Sequence, residues 1–104
     1  MGQHEDLEGY VVDQACLRKY PQDELLSRAK EHTRECALMG HCVESGYGLV
    51  TDDGRPLLLE PASTPAVVDA IRQSERETGV RLRARRELEE GQEGHMRTVS
   101  VEEV

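Results

Sequence analysis

The sequence predicts a mainly β domain with two helices, and three observations carry that prediction. Short segments rich in Val, Leu and Tyr alternate with polar residues between turn signals, as half-buried strands do. Two other stretches keep a helical apolar period, and 104 residues leave room for one modest core and no second domain. Hydrophobic residues make up 37% of the chain and aromatics only 3%, so that core falls to Val, Leu, Ile, Ala and Met.

The elements follow in order. "LEGYVVDQAC", residues 7–16, centres on Tyr10, Val11 and Val12 and reads as a first strand that delivers Cys16 at or just past its end. After Pro21, "QDELLSRAKEHTRECALM" sets Leu25, Ala29, His32 and Cys36 on one helical stripe with acids in the first turn, and Gly40 is a natural end for that helix. "SGYGLVTDDGRPLLLE" predicts a hairpin that turns at Asp53 and Gly54 between strands over 47–51 and 55–60. In "ASTPAVVDAIRQSERETG", Thr64 is the expected N-cap and Pro65 the first helical residue. Val67, Val68 and Ile71 form the buried stripe, and Gly79 lies just beyond the end. "VRLRARREL" alternates Val80, Leu82 and Ala84 with Arg81, Arg83 and Arg85, the pattern of a strand with one wet face. "EEGQEG" is a polar turn, and "HMRTVSVEEV" closes the chain with Val99 and Val101 on one face of a last strand.

Strand, helix, strand, strand, helix, strand, strand is the order of a five-stranded OB-like barrel with a helix between strands 3 and 4. The Cys/His helix is then an insertion between strands 1 and 2, within a helical segment over 17–44. A single domain over 1–104 is expected, with 1–6 and 102–104 as loose ends.

The formal net charge of -8 argues against general attraction to nucleic-acid phosphate, and three tyrosines leave few rings for base stacking. Residues 1–8 hold no apolar run and no arginine-rich amphipathic pattern, and no run of about 18 apolar residues occurs. A cytoplasmic location without membrane contact is expected for the chain as written. A periplasmic or secreted one is expected if a signal peptide has been removed.

The distinctive stretch is "HTRECALMGHC", residues 32–42. On one continuous helix His32 and Cys36 share a face, one turn apart. A turn at Gly40 would fold Cys42 back, and Cys16 arrives from the first strand. Cys16, His32, Cys36 and Cys42 together make a three-thiolate, one-imidazole set of the right number and softness for tetrahedral zinc, with cuprous copper as the other candidate. The spacing is not that of a standard zinc finger, because no short-spaced cysteine pair is repeated. Two other readings stand beside it: one disulfide with a thiol left over, or three buried thiols that pack as small hydrophobes. A buried, hydrogen-bonded His32 is an equal alternative to a ligand, whereas His41 reads as solvated; His4 and His95 lie in polar flanks.

"GYVVDQAC", "HTRECALMGHC" with "ESGYGLVTDDG", and "GVRLRARRE" with "TVSVEEV" resemble small, largely uncharacterised bacterial single-domain proteins with an OB-like barrel and a Cys/His-containing helical insertion. The resemblance implies that fold and a metal-binding role, and brings no activity with it.

Catalysis is not expected. Cys36 falls near a helix C-terminus, where the dipole disfavours a thiolate, and four protein donors on one ion leave no open position for chemistry. The expected function is non-catalytic metal binding in a structural, sensory or metal-carrying role. The alternative is an oligonucleotide- or peptide-binding module that uses Arg81, Arg83 and Arg85, the cysteines being structural. Against it, Glu87, Glu89 and Glu90 follow at once, and an alternating charged face is usually the wet side of a sheet. "TDDGR" lacks the alternating oxygen ligands of a calcium loop and reads as a plain turn.

Overall fold

The computed structural model describes residues 4–88 and 96–104. The turn read in "EEGQEG" and His95 lie outside them. Five antiparallel strands form one sheet in the order β3-β2-β1-β4-β5. They are β1 (His4–Asp13), β2 (Tyr47–Val50), β3 (Pro56–Leu58), β4 (Arg81–Leu88) and β5 (Met96–Glu103). The long β1 is central, and Tyr10 stands between Val50 on one side and Arg81 on the other. Within the segments expected as loose ends, His4–Asp6 and Glu102–Glu103 are strand. His4, Glu5 and Asp6 pair with Glu87, Arg86 and Arg85, while Glu102 and Glu103 pair with Arg83 and Leu82.

The sheet is open, which corrects the expected barrel. Closure would require the outermost strands, β3 and β5, to share a ladder. β3 has only three residues and begins on a proline, and a 3-10 turn at Pro61–Ser63 carries the chain away from it. Side chains tie β3 and the residues just after it to β4 and β5. The Glu60 carboxylate accepts the Thr98 N–H at 2.6 Å, and Arg86 donates to the Leu58 carbonyl at 2.6 Å.

The helix count is also corrected. Five α-helices occur among the described residues: α1 (Gln14–Lys19), α2 (Leu25–Glu31), α3 (Arg34–Ala37), α4 (Gly40–Ser45) and α5 (Thr64–Gln73). The helix expected after Pro21 breaks at His32 and Thr33, both extended, with ψ of 127° and 148°. Their backbone is stitched to another segment: Gly79 N–H donates to the His32 carbonyl at 3.1 Å, and Arg34 N–H to the Glu77 carbonyl at 2.8 Å. Local helical preference thus yields to tertiary hydrogen bonds. Gly40 starts α4 and does not end a helix, and Gly79 caps nothing because α5 stops at Gln73. Gly79 has φ +62°, and a Cβ there would stand 2.8 Å from the Lys30 carbonyl oxygen, so that crossing requires glycine.

Successive β1 residues feed two apolar clusters on opposite faces. Val11 joins Leu49, Leu82, Ala84 and the α5 stripe Val67, Val68 and Ile71, while Val12 joins Val50 and the α2 residues Leu25 and Ala29. Val80, Leu82 and Ala84 are buried as their alternation predicts. Val101 packs on the first cluster. Val99 is the extra residue of a bulge, with Ser100 opposite Arg85 and Thr98 opposite Arg86, and is exposed. The hairpin turn spans 51–54, closed by Gly54 N–H to the Thr51 carbonyl at 2.9 Å with Gly54 at φ +83°, and its flanking strands are shorter than the sequence suggests.

Candidate metal centre

All three cysteines occupy the same local position. Cys16 is the third residue of α1, Cys36 of α3 and Cys42 of α4. Each helix is preceded by an extended residue, Asp13, Thr33 or Met39, with ψ between 145° and 148°. Asp13 Oδ2 accepts the Cys16 N–H at 2.9 Å, and Thr33 Oγ1 accepts the Cys36 N–H at 3.0 Å. At α4 the Met39 carbonyl accepts the Cys42 N–H at 3.0 Å. Side-chain caps satisfy amides that a helix start leaves free, and here those of Asp13 and Thr33 fix the helix starts that carry Cys16 and Cys36.

The three turns converge at the end of β1. One donor atom from each of Asp13, Cys16, Cys36 and Cys42 lies within 4.8 Å of all the others. Asp13 and Cys42 are buried and Cys16 and Cys36 half-buried. Around a tetrahedral zinc with Zn–S of about 2.3 Å, neighbouring donors stand a little under about 4 Å apart, so a contraction of roughly 1 Å would bring this set to bonding distance. Three soft sulfurs and one carboxylate oxygen suit a borderline divalent ion.

His32 does not join the donor set as the sequence suggests. The helix break removes the shared face with Cys36, and its Nε2 instead meets Asp13 Oδ1 at 3.0 Å. A carboxylate only accepts, so Nε2 carries the hydrogen, and the Tyr20 hydroxyl stands 3.4 Å from Nδ1. Asp13 is the residue that sequence reasoning misses. Its signal is the spacing Asp-x-x-Cys, repeated as Thr-x-x-Cys, a side-chain cap three residues ahead of Cys16 and of Cys36. His41 is exposed, in agreement with its solvated reading, and His4 is exposed on β1.

Burial acts to raise the Asp13 pKa, but the His32 and Cys16 hydrogen bonds outweigh it and hold the carboxyl at about 2. Burial, and then the Asp13 carboxylate, push the Cys16 thiol up to about 11 and the Cys42 thiol up to about 12. The cysteines are free thiols in the structure, without a disulfide.

No protein-family model, curated protein or solved structure matches the chain.

Arg81, Arg83 and Arg85, the alternative binding face, are committed to acids. Arg81 pairs with Asp52 at 2.7 Å and Glu8 at 3.3 Å, Arg83 with Glu8 and Glu102, and Arg85 with Asp6 at 3.0 Å. Arg81 also lies over the Tyr10 ring, 5.4 Å from its centre. Neutralised in this way, the ladder offers little net charge to a phosphate backbone. No helix among the described residues is long and apolar enough to cross a membrane.

Proposed function

We propose that the chain is a non-catalytic metal-binding protein that holds one zinc ion through Asp13, Cys16, Cys36 and Cys42, with His32 orienting Asp13 from behind. The observation that carries this reading is the convergence of four donor atoms from β1, α1, α3 and α4 within 4.8 Å. His32 supports it as well, since a ligating carboxylate is commonly fixed by an outer hydrogen bond. A structural role follows from the elements that the ion would join. α3 has four residues and α4 six, far too short to persist alone in water, and one ion would pin both to the end of β1. Four protein donors leave no open position for substrate.

Binding would displace protons from Cys16 and Cys42, whose thiols sit at about 11 and about 12. The apparent affinity is expected to tighten as pH rises, by about tenfold per unit for each of these thiols. Zinc titration from pH 6 to 8 with elemental analysis tests the reading, together with thermal melting after chelation. One zinc per chain and a lowered melting temperature after chelation are expected. Three reactive thiols with no bound metal would overturn it, and a melting transition indifferent to chelation would overturn the structural role.

A further inference from the structure

The four donors are unequally sheltered. Asp13 is 0% and Cys42 1% exposed, whereas Cys16 and Cys36 are half-buried. Cys36 also lines an open depression with Tyr20, Arg28, Glu31, His32 and Thr33. The sulfurs of Cys16 and Cys36 lie within 4.8 Å of one another, and an S–S bond of about 2.05 Å needs an approach of roughly 3 Å. α3, with four residues, is the smallest element at the site and the one best able to make that movement.

We propose that this metal centre is redox-gated: hydrogen peroxide oxidises Cys16 and Cys36 to a disulfide and thereby releases the ion. The inference rests on the metal-binding reading above and adds its regulation. The Cys36 thiolate attacks the peroxide O–O bond, giving a sulfenic acid and one hydroxide. The Cys16 thiolate then displaces the second hydroxide as the S–S bond forms. The two sulfurs lose two electrons, and the peroxide is reduced to two hydroxides, which take up protons as water. The ion leaves with its charge unchanged, since Asp13 and Cys42 alone are too few donors to hold it. Cys42, at 1% exposure, is shielded from the oxidant and stays a thiol.

The test loads the full chain with zinc, adds hydrogen peroxide, and follows zinc release with a chromogenic chelator while tryptic mass spectrometry maps the thiols. One zinc released per Cys16–Cys36 disulfide is expected, with uptake restored by dithiothreitol. Cys16→Ser and Cys36→Ser should each form no intramolecular disulfide; if either fails to fold, the map of the unaltered chain decides alone. A disulfide that includes Cys42, or zinc lost to sulfinic acids without a disulfide, would overturn the proposal. A chain that takes up no zinc overturns the metal-binding reading itself, and that result is visible before any peroxide is added.

Discussion

Asp13 shows how much a single buried carboxylate can set. Its side chain is out of contact with solvent, and His32 and the Cys16 N–H hold it ionised well below its ordinary pKa. A carboxyl whose folded pKa is depressed adds stability that is present above the unfolded value and lost as pH falls through the folded one. For a drop from 3.8 to about 2, at about 1.4 kcal/mol per unit, that contribution is about 2 kcal/mol. Metal-free protein should therefore lose about 2 kcal/mol more than Asp13→Asn between pH 5 and pH 2. Urea midpoints across that window measure the difference, and parallel curves would show that Asp13 gains nothing from His32. The pairing is invisible in the sequence because nineteen positions separate the two residues and only the helix break brings them together. The thiols are easier to read, since clustered cysteines advertise themselves.

The elements divide by what holds them. The β4 alternation and the α5 stripe are legible because burial on one face writes a period into the chain, and Val67, Val68, Ile71, Leu82 and Ala84 are buried as that period requires. Where an element ends is less legible, since the deciding partners are distant. His32 and Thr33 leave the helix for Glu77 and Gly79, and α5 stops at Gln73 although helix-compatible residues continue. The barrel fails for the same reason, because a three-residue β3 offers too little edge to pair. Among these boundaries the Thr33 cap is the most exposed to test. Thr33→Ala removes the acceptor for the Cys36 N–H and should cost about 1 kcal/mol by urea denaturation, with zinc affinity weakened alongside; Thr33→Ser should recover most of both. If Thr33→Ala left stability and affinity unchanged, the cap would not be what positions Cys36.

At the scale of the whole molecule, the sheet has two edges held by a handful of side chains. Glu60 accepts the Thr98 N–H and stands 3.5 Å from Arg86, which in turn reaches the Leu58 carbonyl. A net hydrogen bond to a charged acceptor is worth about 1.5–3 kcal/mol. Glu60→Ala should speed exchange of the Thr98 amide by about tenfold or more. The Val11 amide, bonded to the Val80 carbonyl at 2.9 Å, should keep its rate. Native-state hydrogen exchange read by NMR distinguishes local loosening from global unfolding, in which both amides would accelerate together.

The three turns that carry the thiols have a consequence for how such a centre varies between sequences. What the donors need is held inside four-residue units, 13–16, 33–36 and 39–42, each an extended residue followed by a helix start. Of the chain between the units, His32 is the residue that meets a donor, through its bond to Asp13. Insertions and deletions after Lys19 can thus accumulate without moving a thiol, so long as Leu25 and Ala29 still reach their cluster and His32 still meets Asp13. Kin of this chain are better sought by Asp-x-x-Cys and Thr-x-x-Cys at free separation than by a fixed count between cysteines.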